Sequence, residues 1–110
     1  MEIREERRDT ILIVAPLGRV DSNSSSSLEA VLLGHASEAR LLVDLAGVEY
    51  ISSAGLRVFL MLARKVKEGG GRLALCGMGS SVRQVFDLAG FTTLFAVEPS
   101  TEQGLVRLSS

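Results

Sequence analysis

Apolar residues recur along this chain with two different periods, and the alternation between them predicts its elements. Short apolar runs rich in Leu, Ile and Val indicate strands; they lie at 10–15, 41–45, 72–76 and 94–97. Apolar residues spaced three and four positions apart indicate helices with one buried face. These sets are Leu28, Val31, Leu32, His35 and Ala36; Leu56, Phe59, Leu60, Ala63 and Val66; Val82, Val85, Phe86 and Ala89; and Leu105 with Val106 after Pro99.

The order of these elements predicts an α/β fold. Residues 1–8 are highly charged, which suits an edge strand, and a turn at Asp9 leads into the run at 10–15, so a hairpin opens the chain. Pro16 and Gly18 are expected to end its second strand. From residue 41 onward strands and helices alternate, and strands joined by helices are normally parallel. We therefore expect a single domain over residues 1–110: a mixed, mostly parallel sheet with a leading β-hairpin, packed against about four helices.

The stretch at 48–56 lies between the strand at 41–45 and the longest helical run. Its core, Ser52-Ser53-Ala54-Gly55, combines two hydroxyls with two small residues at a strand-to-helix turn. Free N–H groups and the helix dipole favour an anion at such a position. The serines can be helix caps, or one can be an accessible hydroxyl that accepts a phosphate. A similar cap is predicted further on, where Ser81 and Gln84 have capping-box spacing.

Composition excludes several classes of function. The net charge is −1 and there is no Trp, so the chain lacks the clustered cations and aromatic platforms of a nucleic-acid binder. No apolar span is long enough to cross a membrane. The charged opening residues do not resemble a signal peptide. We expect a soluble, cytoplasmic protein that contacts neither nucleic acid nor membrane.

Residues able to support catalysis or metal binding are scarce. Cys76 is the only cysteine and lies in an apolar run, and His35 is the only histidine and lies on an apolar helical face, where partial burial is expected. Ser53-Ala54-Gly55 matches the end of the nucleophile elbow G-x-S-x-G, but Ile51 stands at the first glycine. Gly77-Met78-Gly79 lacks the third glycine of a dinucleotide fingerprint. The sequence predicts no cofactor and no metal, and favours a binding protein over an enzyme.

The central stretch resembles the signature of STAS domains, in particular that of the bacterial anti-sigma factor antagonists. The resemblance extends over essentially the whole chain. The residues that carry it are Leu42-Val43-Asp44-Leu45, Val48, Tyr50-Ile51-Ser52-Ser53-Ala54-Gly55-Leu56, the Gly18-Arg19-Val20-Asp21 turn, and Val85-Phe86-Asp87-Leu88-Ala89-Gly90 with Phe91.

This resemblance implies a switch operated by phosphorylation. The unphosphorylated antagonist binds an anti-sigma factor that is also a histidine-kinase-like serine kinase, and so releases a sigma factor; phosphorylation dissociates the complex and a serine phosphatase resets it. Alignment of the Ala54-Gly55-Leu56 ending implies that Ser53 is the phosphoacceptor, with Ser52 where many members carry an acidic residue. The implied partner-binding residues are Asp21, Ser22, Asp44, Ser52, Ala54, Gly55, Leu56 and Arg57.

Three alternatives remain open. Asp44 can equally be a strand-end carboxylate that caps nearby backbone amides. The whole chain can be a STAS scaffold or accessory subunit of a sensory or lipid-transport complex, without a kinase partner. A small nucleotide-binding or hydrolytic protein is the third possibility.

Overall fold

A six-stranded mixed sheet lies at the centre of the computed structural model, which describes residues 1–109. Helices pack on both of its faces. The elements are β1 (Glu2–Arg8), β2 (Ile11–Val20), α1 (Ser25–Gly34), β3 (Arg40–Asp44), β4 (Val48–Ile51), α2 (Ser53–Glu68), β5 (Arg72–Cys76), α3 (Ser80–Leu88), β6 (Ala96–Glu98) and α4 (Thr101–Ser109), with a short 3₁₀ turn at Phe91–Thr93.

The strand order is β1-β2-β3-β5-β6, and β4 pairs with the far end of β2. Only β1 and β2 are antiparallel, while every other pairing is parallel. The predicted fold class is therefore confirmed. Within residues 1–109 no helix has the length and apolar character required to span a bilayer.

Two features of the sheet differ from the sequence prediction. The second strand does not end at Pro16 or Gly18 but runs on to Val20. Its parallel pairing to β3 stops at Val14 and its pairing to β4 starts at Gly18, so Pro16 lies in an interval that has no parallel neighbour. Strand β4 was not predicted, because its sequence Val48-Glu49-Tyr50-Ile51 does not alternate apolar and polar residues. In the structure only the two end residues are buried.

Smaller differences occur near the C-terminal half. The final strand begins at Ala96 rather than at residue 94, because the 3₁₀ turn and the buried ring of Phe95 precede it. The capping box predicted at Ser81 is wrong: α3 begins at Ser80 with Gly79 as its cap. The Ser81 hydroxyl instead donates to the carbonyl of Glu49 at 3.5 Å.

The larger core lies between the sheet and helices α1, α2 and α3. Phe86 is fully buried there and packs edge-on against Phe59 and Phe95, with ring centroids 5.8 and 6.1 Å apart. The opposite face of the sheet forms a smaller core, in which Leu108 of α4 covers Leu42 of β3. Helices α1 and α3 thus flank α2 on this face and share its core against the strands.

Close approach of α2 to the sheet depends on Gly55. A Cβ at this position would lie 2.6 Å from Cγ1 of Val20 and 2.9 Å from Cγ1 of Ile51. Glycine thus lets the first turn of α2 rest directly on the ends of β2 and β4. The turn that carries Ser52 and Ser53 is positioned by this contact.

We predict that Gly55→Ala lowers the free energy of unfolding by about 1–3 kcal/mol, because the added methyl group overpacks this contact. Gly34→Ala is the matched control, since a Cβ there meets nothing within 4 Å. Urea denaturation of both variants provides the measurement. Equal stabilities for the two variants would contradict the assigned role of Gly55.

Candidate functional site

Pairing of β4 with the end of β2 brings two loops together at one end of the sheet. Val20 and Ile51 are register partners, and the N–H of Ser52 donates to the carbonyl of Val20 at 2.8 Å. The next residue after Val20 is Asp21, and the next after Ser52 is Ser53. The two predicted segments, far apart in sequence, therefore leave the sheet side by side.

The adjacent serines have different roles. Ser52 is the N-cap of α2: its backbone is extended and its Oγ accepts the N–H of Gly55 at 3.3 Å. Ser53 is the first helical residue and is exposed to solvent. Within residues 1–109 its hydroxyl makes no hydrogen bond. One serine thus holds the helix end, and the other presents an uncommitted hydroxyl.

The electrostatic environment of Ser53 suits an anion. It stands at the positive end of a 16-residue helix whose first turn has no acidic side chain. Arg57 lies one turn further along α2 and is exposed. Its guanidinium has no ion-pair partner in the described part of the chain. A phosphate on Ser53 would therefore meet both the helix dipole and a free cation four residues away.

The Asp21 carboxylate shapes the neighbouring loop. Its Oδ1 accepts the N–H of Ser24 at 3.1 Å, the N–H of Asn23 at 3.0 Å and the Ser24 hydroxyl at 3.3 Å. The two N–H groups, that of Ser24 first, hold the pKa of Asp21 below its ordinary value of 3.8. Ser22 lies exposed within this turn. Asp21 thus braces the loop before α1, which leaves the sheet beside the turn that carries Ser53.

The predicted site residue Asp44 is placed elsewhere. It follows Leu42 on the α4 face of the sheet, where its Oδ1 accepts the N–H of Ala46 at 3.0 Å and its Oδ2 accepts the Thr101 hydroxyl at 3.4 Å. The first bond holds the loop after β3, and the second connects the end of β3 to the start of α4. Asp44 does cap strand-end backbone, as its alternative interpretation expects, and the structure does not bring it into contact with Ser53; its role in partner binding stays a prediction.

Of the remaining predicted residues, Gly55 and Leu56 are buried, whereas Ala54 is partly exposed and Arg57 is exposed. Gly55 and Leu56 therefore position the turn from beneath. We define the Ser53 surface as the accessible group at this end of the sheet: Asp21, Ser22, Ser53, Ala54 and Arg57.

Two residues beside this surface were missed from the sequence. Arg19 of β2 and Tyr50 of β4 are cross-strand partners, and the guanidinium stacks over the ring at 4.4 Å from its centroid. Tyr50 is 40% exposed. The available signal was that the only tyrosine of the chain stands two residues before Ser52. Exposed Tyr and Arg side chains are the types that often carry binding energy in interfaces.

Metal binding and thiol chemistry find no support near this surface in the described residues. Within residues 1–109 no group of three or more His, Cys, Asp and Glu side chains could hold a metal ion. Cys76 is fully buried, and burial raises the pKa of its thiol to about 11. His35 is partly buried at the end of α1, where its Nε2 lies 2.9 Å from Oε2 of Glu5.

Comparison with known proteins identifies the family of this chain. The STAS domain model matches residues 2–104, and the chain belongs to the STAS domain family. A protein of Bordetella bronchiseptica that carries the name anti-sigma factor antagonist BtrV is 38% identical over 104 residues, covering 93% of this chain and 90% of that protein.

Two further similarities point the same way. The anti-sigma-B factor antagonist of Bacillus subtilis is 27% identical over 106 residues, or 96% of this chain and 95% of that protein. The crystal structure of an anti-sigma factor antagonist from Mycobacterium paratuberculosis superimposes with a TM-score of 0.90 at 22% identity, covering 99% of this chain and 94% of the other. The last of these comparisons shows the shared fold.

The different roles of the two serines predict different effects on stability. Ser52→Ala removes the cap of α2 and is expected to lower the free energy of unfolding by about 1 kcal/mol. Ser53→Ala removes a hydroxyl that has no hydrogen-bond partner within residues 1–109 and should leave stability nearly unchanged. Chemical denaturation of both variants measures the difference, and a larger loss for Ser53→Ala would contradict the assignment of the cap.

The lowered pKa of Asp21 predicts a pH-dependent contribution to stability. The ionised carboxylate is favoured in the folded state, so its contribution is complete above the unfolded pKa near 3.8 and is lost as pH falls through the lower folded value. We expect Asp21→Asn to be less stable than wild type at neutral pH. The difference should shrink as pH falls below 3.8 and through the lower pKa of the folded state. Thermal unfolding across this range measures it; a difference independent of pH would contradict the prediction.

Proposed function

We propose that this protein is an anti-sigma factor antagonist: a cytoplasmic binding switch, without catalytic activity or cofactor, whose affinity for an anti-sigma factor is controlled by phosphorylation of Ser53. The observation that carries the proposal is the exposed, uncommitted hydroxyl of Ser53 at the first position of α2. The names of the relatives supply the class of partner.

A phosphate at this position would change binding more than folding. It adds about −1.5 to −2 charges at neutral pH, and the helix dipole stabilises such a charge. The Ser53 hydroxyl to which it is attached makes no hydrogen bond within residues 1–109 whose loss would weaken the fold. A partner shaped for a small neutral hydroxyl next to Ala54 would instead meet a bulky dianion. The proposed switch therefore acts by electrostatic and steric exclusion at the surface.

We further propose the identity of the switching enzymes. The anti-sigma factor is itself a histidine-kinase-like serine kinase, so the surface that it binds is also its substrate, and a serine phosphatase restores the hydroxyl. Release of the sigma factor then regulates transcription without contact between this protein and nucleic acid. Asp21 supports this scheme by holding its loop beside Ser53, and Arg57 by its position one turn from the acceptor.

We expect the cognate anti-sigma factor with ATP to label the wild-type chain at Ser53. Ser53→Ala should abolish the label, while Ser52→Ala, the matched control, should retain it because the Ser52 hydroxyl only caps α2. Phosphopeptide mapping by mass spectrometry identifies the site. A label on Ser52 would overturn the choice of serine. No label with a partner that binds would favour the accessory-subunit alternative.

Affinity measurements test the same switch without the kinase reaction. Ser53→Asp should weaken binding to the anti-sigma factor by about tenfold or more, with stability near wild type. Ser53→Asn has a similar shape but no charge and should bind more tightly than Ser53→Asp. Isothermal titration calorimetry of the three proteins makes the comparison. Equal affinities for wild type and Ser53→Asp would count against the Ser53 surface.

A further inference from the structure

Uncompensated positive charge is concentrated on the outward face of α2. The residues Ser53, Arg57, Leu60, Arg64 and Lys67 are spaced alternately by four and three positions and so form one stripe. Within residues 1–109 the side chains of its three cations form no hydrogen bond or ion pair. Arginines elsewhere in the chain that are paired with carboxylates include Arg4, Arg7, Arg8, Arg83 and Arg107.

An apolar groove of about 450 Å³ runs beside the C-terminal half of this stripe. Its walls are Leu60 and Ala63 of α2, Leu73 of β5 and the segment Leu94–Phe95, and its rim carries Arg64 and Lys67. Leu94 is 59% exposed, although the neighbouring Phe95 is buried in the core. The groove therefore offers apolar surface that residues 1–109 leave uncovered, next to two cations that no carboxylate of the described residues pairs with.

We infer that this groove is a second interaction site, which binds an acidic amphipathic protein segment. Aliphatic side chains of the segment would enter between Leu60, Leu73 and Leu94, and carboxylates on its flank would pair with Arg64 and Lys67. Charge complementarity selects an acidic partner over a neutral or basic one. A groove in which apolar walls meet two cations suits a protein segment, whereas nucleic acid and anionic lipid require a broader basic surface.

The groove is separate from the Ser53 surface. Arg64 lies eleven residues beyond Ser53, which corresponds to about 16 Å along the axis of α2. A segment bound in the groove would therefore leave the Ser53 hydroxyl accessible. The two sites can engage different parts of one partner or two partners at once, and the inference does not depend on the function proposed for Ser53.

The test uses the full chain and a fluorescent synthetic helix of about four turns, with Leu on one face and Glu on the other. Fluorescence anisotropy should detect binding to wild type, and the double change Arg64→Glu with Lys67→Glu should weaken it by about tenfold or more. Lys65→Glu is the matched control: Lys65 belongs to the same helix and is exposed, but it faces Leu33 and Ala36. This control should bind the peptide as wild type does.

Two further variants distinguish binding in the groove from binding elsewhere on the chain. Leu94→Asp should also weaken peptide binding, and because Leu94 is exposed this change should leave the fold intact, which circular dichroism checks. Ser53→Asp should bind the peptide within about twofold of wild type, so this result stays distinct from a failure of the phosphorylation switch.

Three results with the peptide would overturn the proposal: no binding of the Glu peptide to wild type, equally tight binding of the same peptide with Lys in place of Glu, or a loss with Lys65→Glu as large as that of the double change. Binding of wild type to phosphatidylglycerol vesicles that the double change abolishes, without peptide binding, would likewise overturn it in favour of a lipid surface.

Discussion

Pairing of β4 with the last residues of β2 is the contact on which the candidate site depends. Strand β2 continues beyond its last pairing with β3 and there pairs with β4, so that Val20 and Ile51 lie side by side where the two strands end. The hydrogen bond from Ser52 to Val20 then sets the starting point of α2, and Gly55 lets that helix settle on the two strand ends. This small strand therefore brings the Asp21 loop and the turn that carries Ser53 to the same end of the sheet.

The polar residues around this edge divide into those that hold the backbone and those that face solvent freely. Side-chain oxygens of Ser52 and Asp21 accept hydrogen bonds from backbone N–H groups, and an oxygen of Asp44 does the same on the other face of the sheet. Such bonds satisfy donors that helix and strand ends would otherwise leave unpaired. Ser52 and Asp21 thus hold the backbone on the two segments that meet beside Ser53, whose own hydroxyl makes no hydrogen bond within residues 1–109. A group without a structural task can be modified at little cost to the fold, which is the physical basis of the proposed switch.

Helix α2 connects this edge to the rest of the surface. Its buried face packs against the sheet through Phe59 and Leu62, and its outward face carries cations that have no partners within residues 1–109. The near-zero net charge of the chain conceals this arrangement, because many of the other cations are paired locally with carboxylates. One helix therefore carries the Ser53 hydroxyl at its start and, about three turns later, borders an apolar groove flanked by Arg64 and Lys67.

The sequence alone determined the α/β class, the leading hairpin, the long helix after the serines and the strand-to-helix turn at Ser52 and Ser53, because hydrophobic period and turn chemistry are local properties. It also indicated the family, through a signature that is contiguous along the chain. Tertiary structure decided what local patterns do not contain. The sequence of strand β4 does not alternate apolar and polar residues, and its partner β2 lies some thirty residues earlier in the chain. The fold also decided which serine caps α2 and where Asp44 lies. The stacking of Arg19 on Tyr50 and the groove beside Leu94 likewise depend on which segments the sheet brings together.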